Sequence, residues 1–179
     1  MLKRLKGISS ETVVKNSYWD YKIDKYKMPS GNTGEYHYVD SRGAILVVPV
    51  IGDKFVFVRQ FRYLNQKESI ELPGGGIKQG LSPEENALEE LKEEAGLNSA
   101  SLKKIGEYNP FNGVTNEICH VFAALDCSRT AAEPDESEEI EIMTLTNGEI
   151  NEMISSNTIW DGMTLAAWSL YKCSKYYEG

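Results

Sequence analysis

Residues 71–97 read ELPGGGIKQGLSPEENALEELKEEAGL, in which three glycines lead into a strongly signalled helix. Ser82 has a side chain preferred at helix N-caps, Pro83 suits the first helical position, and Glu85 completes a capping box. Gly96 is the residue type that ends many helices in the left-handed conformation. The pattern predicts a helix that begins at Pro83 and ends just before Gly96.

The predicted helix has an apolar side and an acidic side. At about 100° per residue, its apolar side chains gather together: Leu88, Leu91 and Ala95. Its opposite side carries three clustered carboxylates: Glu90, Glu93 and Glu94. Such neighbours repel each other, and a hard divalent cation with oxygen ligands relieves the repulsion. The glycine loop can add a backbone carbonyl. A merely solvated acidic face is the alternative interpretation.

The rest of the chain alternates between strand and helix patterns. Two apolar runs, Ala44–Val50 and Phe55–Phe61, flank a Gly52-Asp53 turn and predict a β-hairpin. Further predicted elements are strands at 18–23, 36–39, 118–125 and 140–145, an amphipathic stretch at 150–154 and a last helix at 164–176. The mixed order indicates an α/β layered architecture. A change of character near residue 43 predicts an N-terminal β segment, residues 1–42, and a main domain, residues 43–179.

Composition and charge disfavour several classes of protein. The 179 residues fit one domain with a small appendage, and the net charge of −8 disfavours nucleic acid as a partner. The longest apolar run, Ala44–Ile51, is far shorter than the roughly 18 residues of a membrane-spanning helix. No signal peptide is expected. We therefore expect a cytoplasmic protein without membrane contact.

The cysteines and histidines limit the kind of metal site. The three cysteines lack the paired spacing of a zinc site and are expected to be reduced: Cys119, Cys127 and Cys173. The two histidines are too few for a histidine-based metal site. Any metal ion would be bound by oxygen, which favours magnesium, manganese or calcium.

The glycine loop and helix resemble the signature of the Nudix hydrolases, Gly-x5-Glu-x7-Arg-Glu-U-x-Glu-Glu-x-Gly-U, with U an aliphatic residue. The matching positions are Gly75, Glu90, Leu91, Glu93, Glu94, Gly96 and Leu97. Two positions depart from the signature, because Leu81 replaces its first Glu and Glu89 replaces its Arg. The resemblance implies an α/β/α sandwich around a mixed sheet, with a small N-terminal β appendage.

The same resemblance implies a site for Mg²⁺ or Mn²⁺. Its ligands would be the Gly74 carbonyl and the carboxylates of Glu90, Glu93 and Glu94, with Glu90 also catalytic. The acidic segment 135–140 resembles the catalytic loop of related pyrophosphatases. There Glu136 would be the base and Glu138 a further metal ligand, with Glu139 in reserve for these roles.

Outside the signature the chain resembles the ADP-ribose and ADP-sugar pyrophosphatases. The similar segments are 29–34, 58–62, 108–124 and 161–167. This branch implies hydrolysis of ADP-ribose or a related nucleoside diphosphate sugar to AMP, or another nucleoside monophosphate, and a sugar phosphate. It also implies a homodimer formed through the N-terminal strands.

The branch further implies four substrate-binding residues. Tyr18 and Tyr36 match aromatics that sandwich the adenine, with Trp19 a near rival to them. Packing of these aromatics against a neighbouring sheet is the alternative. Arg62 matches a phosphate contact, for which a surface ion pair is the alternative. Pro110 corresponds to a downstream proline of the branch, although it lies slightly closer to the signature than expected.

Two other functions stay open. One is a pyrophosphatase for a different nucleotide. The other is a catalytically degenerate Nudix fold that binds or senses a nucleotide without cleaving it, and both departures favour it. The change from Arg to Glu at position 89 alters the local charge by two units and adds repulsion toward Glu93.

Overall fold

The computed structural model describes residues 4–132 and 139–177. The chain divides into two compact units: a first unit of Met1–Gly43 and Asn109–Ile118, and a second unit of Ala44–Tyr108 and Cys119–Gly179. The inclusion of 109–118 in the first unit was not anticipated from the sequence. None of the helices in the described ranges has the length and hydropathy needed to cross a membrane.

The first unit contains a three-stranded antiparallel sheet in the order β1-β2-β3. Its strands are β1 (Lys6–Lys15), β2 (Trp19–Lys27) and β3 (Thr33–Ser41). Segment 109–118 is attached to β3, because the Val39 amide donates to the Val114 carbonyl at 2.8 Å. The two predicted strands are present and longer than expected. Strand β1 was missed, since all ten of its residues are exposed and its sequence has no buried apolar face.

The second unit is built on a seven-stranded mixed sheet. Its strands are β4 (Ala44–Ile51), β5 (Lys54–Arg62), β6 (Lys67–Glu71), β7 (Gly74–Gly76), β8 (Leu97–Tyr108), β9 (Cys119–Arg129) and β10 (Glu141–Thr146). The path through the sheet is β10-β5-β4-β9-β8, with β6 on β5 and β7 on β4. The sheet is mixed because β4 and β9 are parallel, whereas the other pairs are antiparallel.

Helices cover both faces of this sheet. They are α1 (Pro83–Ala95), α2 (Asn147–Ser155) and α3 (Gly162–Lys172). Along β4, Ile45 and Val47 belong to the apolar cluster that includes Leu91 of α1. The alternate residues Leu46 and Val48 belong to the cluster on the other face. That cluster includes these residues of α2 and α3: Ile150, Ala167, Trp168 and Tyr171. The expected α/β/α sandwich with an N-terminal β-sheet is confirmed.

The bounds of the first and last helices can be compared with those predicted from the sequence. Helix α1 has the predicted bounds, with the complete capping box at Ser82 and a left-handed Gly96. The last helix ends at Lys172 rather than near residue 176. There the chain turns back, and the Tyr171 hydroxyl donates to the Tyr176 carbonyl at 3.0 Å. The predicted extension to residue 176 was therefore wrong, since residues 173–176 form turns, in which the Ser174 amide donates to the Tyr171 carbonyl at 2.9 Å.

Candidate active site

The glycine loop is wedged between the central strand and α1. Strand β7 pairs with β4, and a Cβ atom added at Gly74 would lie 2.2 Å from the Ile45 carbonyl oxygen. A Cβ atom at Gly75 would lie 3.1 Å from the carboxyl carbon of Glu90. Gly76 has open space around it. The first two glycines are thus required by close approach, one to the sheet and one to the helix.

Two glutamates of α1 are buried against this loop. The side chain of Glu94 accepts a hydrogen bond from the Gly74 amide at 2.8 Å. Glu94 is only 5% exposed and Glu90 only 8%. Burial of a carboxylate is unfavourable unless hydrogen bonds or nearby charges offset it. The fold therefore holds acidic groups at this place rather than leaving them on a solvated face.

The burial of α1 differs from the prediction. Leu88, which was expected on the apolar side, is 41% exposed. The buried residues of the helix are Asn86, Ala87, Glu90, Leu91, Glu94 and Ala95. The glycines of the loop have no side chains and leave room for two carboxylates. The buried side of α1 therefore includes Glu90 and Glu94 but not Leu88. The strict separation into an apolar and an acidic side was wrong for this reason.

Lys78 supplies positive charge from the loop to the acidic residues of α1. Its Nζ lies 2.7 Å from Glu93 Oε2, 3.3 Å from Glu90 Oε1 and 3.5 Å from Glu89 Oε2. The Lys78 backbone is fixed as well, since its amide donates to Asn86 Oδ1 at 2.9 Å. Burial lowers the pKa of Lys78, but the hydrogen bond to Glu93 and the charge of Glu90 outweigh it and raise the pKa above its ordinary value. Lys78 is therefore a protonated partner of three carboxylates.

A second ion pair joins the ends of β5 and β6. Arg62 Nε donates to Glu71 Oε1 at 2.7 Å, and its Nη2 donates to the other carboxylate oxygen. Glu71 is 5% exposed. The hydrogen bond to Glu71 raises the pKa of Arg62, and the charges of Asp161 and Glu94 add to this effect. Arg62 is thus close enough to Glu94 to feel its charge, while its guanidinium group is paired with the buried carboxylate of Glu71.

The other predicted residues belong to the first unit or to the acidic segment 135–140. In the first unit Tyr18 is 84% exposed, Tyr36 donates its hydroxyl to the Gly113 carbonyl at 3.2 Å, and Pro110 is partly buried. Glu136 and Glu138 lie outside the described residues. The reserve candidate Glu139 is described and exposed. The structure thus places Gly74, Glu90, Glu93 and Glu94 close together. The roles assigned to these four residues and to the others stay predictions.

The chemistry of the donor atoms suits a hard cation, although, among the described residues, their side chains do not converge as a ligand cluster. Within residues 4–132 and 139–177, no group of three or more His, Cys, Asp or Glu side chains converges as a metal cluster. The Lys78 ammonium instead lies among the carboxylates and marks a position where positive charge is favourable. Carboxylate oxygens beside a glycine backbone are the chemistry that magnesium and manganese prefer. Gly74, Glu90, Glu93 and Glu94 are the described residues available for such an ion.

Sequence reasoning missed Lys78 and Glu71. The helix contains six glutamates and one lysine, and this excess of negative charge was the signal that a cation from outside the helix is needed. Lys78 was the cation closest along the chain before the helix. Glu71 begins the quoted stretch, but nothing in the sequence indicated that it is buried against Arg62.

An α/β/α sandwich with buried glutamates behind a glycine loop defines a class of metal-dependent hydrolases. A model of the NUDIX domain matches residues 40–156, and the chain belongs to this family. Enzymes of the family generally use divalent metal ions. The chain is accordingly a Nudix-type hydrolase.

Relatives support the resemblance to the ADP-ribose pyrophosphatase branch. The chain is 31% identical to the ADP-ribose pyrophosphatase of Bacillus subtilis (strain 168), over 90% of this chain and 89% of the relative. It is 29% identical to the methanol dehydrogenase activator of Bacillus methanolicus, with the same coverage. It is 28% identical to the ADP-sugar pyrophosphatase of Mus musculus, over 80% and 74%.

A solved structure confirms the fold. The crystal structure of an ADP compounds hydrolase matches with a TM-score of 0.83 and covers 99% of both chains. The two sequences are 18% identical, so this likeness speaks for the fold alone.

Proposed function

We propose that the protein hydrolyses the diphosphate bond of ADP-ribose or a related nucleoside diphosphate sugar. Water adds to one phosphorus, the bridging P–O bond breaks, and the products are AMP, or another nucleoside monophosphate, and a sugar phosphate. The observation that carries the proposal is the burial of Glu90 and Glu94 against the glycine loop. The names of the relatives support the choice of substrate class.

We infer that Mg²⁺ or Mn²⁺ is the cofactor. Its proposed ligands are the Gly74 carbonyl and four carboxylates: Glu90, Glu93, Glu94 and Glu138. When bound, such an ion neutralises diphosphate oxygens and lowers the pKa of a coordinated water. The Gly74 amide holds the Glu94 carboxylate in place for this role. Glu136 is the proposed base that removes a proton from the attacking water.

We also propose four substrate contacts. Arg62 would contact a phosphate, because its fork is already oriented by Glu71. Tyr18 and Tyr36 would stack on the base, and their exposed rings support this role. Pro110 completes the proposed set. A homodimer in the cytoplasm belongs to the same proposal, supported by the exposed apolar side chains of β1 and by three free cysteines.

One observation favours a second candidate, a protein that binds the nucleotide without cleaving it. Lys78 contacts the same carboxylates that a metal ion needs, and Leu81 and Glu89 depart from the family pattern. Under this alternative, Lys78 takes the place of the metal ion as the positive charge beside the carboxylates, and the site binds the nucleotide without cleaving it.

The two candidates differ in product release. Purified protein is incubated with Mg²⁺ and ADP-ribose, and AMP is measured by chromatography. We expect AMP from the wild type and at least a hundredfold lower rate from Glu94→Gln, since loss of one strong electrostatic contact commonly reduces rates by about 100-fold or more. Glu152→Gln, on the exposed part of α2, serves as the control with an unchanged rate.

Two results would contradict the proposal. Tight binding of ADP-ribose with no AMP, in Mg²⁺ and in Mn²⁺ across the pH range, would establish the binding protein instead. A normal rate in Glu94→Gln would remove Glu94 from the ligand set.

A further inference from the structure

We propose that Lys78 is an internal counter-ion that holds the acidic residues of α1 in position and competes with the divalent ion for their oxygens. The inference rests on the proposed function for the metal ion. Its geometric basis is independent, because the contacts of Lys78 are made within the protein itself.

The contacts of Lys78 exceed those of an ordinary surface lysine. Three carboxylates lie within 3.5 Å of its ammonium nitrogen: Glu89, Glu90 and Glu93. They occupy two successive turns of α1, where they would otherwise repel each other. Glu90 is buried, so its charge is poorly screened by water. A single positive charge at this point offsets all three repulsions at once.

The backbone fixes Lys78 for this role. Its amide donates to Oδ1 of Asn86, which is fully buried, and Asn86 Nδ2 donates to the Gly76 carbonyl at 3.4 Å. Hydrogen bonds to the Asn86 side chain thus join the loop to α1 at Gly76 and at Lys78, the residues before and after Ile77. The lysine therefore projects from a backbone that is fixed to the helix it neutralises.

The charges explain how the chain tolerates Glu89. Where the family pattern has a cation on the helix, this chain has an anion, and the Lys78 ammonium lies 3.5 Å from its carboxylate. The cation is thus supplied from the loop, three residues after Gly75, rather than from the helix. Because the ammonium shares Glu90 and Glu93 with the proposed metal site, it must yield part of its contacts when a divalent ion binds.

Lys78→Met tests this role, since it removes the charge and keeps much of the apolar stem. In EDTA we expect the midpoint of thermal unfolding to fall by about 2–4 °C, as for a modest loss of stability in a chain of this size. In a titration followed by electron paramagnetic resonance, we expect the dissociation constant for Mn²⁺ to fall about fivefold, because the competing cation is gone. Lys78→Arg, which keeps the charge, should stay near the wild type.

Lys104→Met is the matched control. Lys104 is 42% exposed, compared with 41% for Lys78, and it contacts Glu107 at the same distance of 2.7 Å. It has a single carboxylate contact on β8 instead of three on α1. The change in net charge is identical, so a general charge effect would appear in both variants. We expect Lys104→Met to leave the Mn²⁺ affinity unchanged.

The outcomes separate this inference from the proposed function. If the wild type binds Mn²⁺ and Lys78→Met binds it with equal or lower affinity, the role of Lys78 is refuted while the metal site stands. If the wild type binds no Mn²⁺, the proposed function fails, and the competition fails with it. Tighter binding in Lys78→Met but not in Lys104→Met supports the inference.

Discussion

Single atoms decide the shape of the proposed active site. Gly75 faces the carboxyl group of Glu90 so closely that any side chain would displace it, whereas Gly76, the next residue, borders open space. The two glycines look alike in the sequence, because a run of three carries no sign of which member is confined. The structure separates them, and this difference can be tested directly.

Gly75→Ala should lower activity far more than Gly76→Ala. The added methyl group lies 3.1 Å from the Glu90 carboxyl carbon and 3.2 Å from its oxygens, so the side chain must move by several tenths of an ångström. Because catalytic geometry tolerates little displacement, we expect about a tenfold lower rate of AMP release. Gly76→Ala should keep the wild-type rate. Equal rates in both variants would show that the position of Glu90 is not critical.

Helix α1 shows which part of the site local sequence can predict. The capping box and Gly96 give its bounds correctly, because these signals act within one turn of the helix. The side that it buries was predicted less well. Leu88 is exposed and Glu90 is buried because the neighbouring glycine loop leaves room for a carboxylate. A helical wheel of the α1 sequence contains no information about the position of the glycine loop.

Ser82→Ala should weaken α1 from its first turn. Ser82 Oγ accepts from the Glu85 amide, and the Ser82 amide donates to the Glu85 carboxylate at 2.8 Å. We expect a loss of about 1 kcal/mol in the free energy of unfolding, measured by denaturant titration. Thr146→Ala removes the equivalent cap of α2, where Thr146 Oγ1 accepts from the Glu149 amide at 3.3 Å, and should cost a similar amount. A negligible loss in both variants would contradict the capping argument.

The same box has a definite pH dependence. Hydrogen bonds from the Ser82 backbone and side chain lower the pKa of Glu85 below its ordinary value. A group with a lowered folded-state pKa stabilises the protein above its unfolded-state value, and this contribution is lost as the pH falls through the folded-state pKa. The difference in stability between the wild type and Ser82→Ala should therefore narrow in acid, by the part that the bond from Ser82 Oγ to the Glu85 carboxylate contributes, while the bond from the Glu85 amide to Ser82 Oγ maintains the rest. Carbon-13 NMR of Glu85 would show the pKa returning toward its ordinary value in Ser82→Ala.

At the scale of the whole molecule, the sequence predicted the main sandwich better than its edges. Buried runs such as Ala44–Ile51 have one interpretation, because a strand that is apolar on both faces must lie inside a covered sheet. Strands β1 and β8 are rich in polar residues, and each is specified by backbone pairing with the strand that follows it rather than by an apolar run. Segment 109–118 likewise pairs with β3 through backbone hydrogen bonds that no side-chain pattern announces.

The fully exposed β1 leads to a prediction about assembly. Ile8, Val13 and Val14 are 56%, 46% and 50% exposed, and such apolar groups on an outer strand favour pairing with another chain. We expect light scattering to give twice the chain mass of 20.1 kDa for the wild type. Val14→Asp should shift the protein toward the monomer, because a carboxylate is unfavourable in a closed apolar contact.

Thr12→Asp is the control for this variant. It introduces the same charge at an exposed polar position of β1, where no apolar group is lost. It should therefore leave a larger share of dimer at a given concentration than Val14→Asp does. A wild type that is monomeric at every concentration, or dimers that are equally stable in both variants, would show that the apolar residues of β1 do not form the contact.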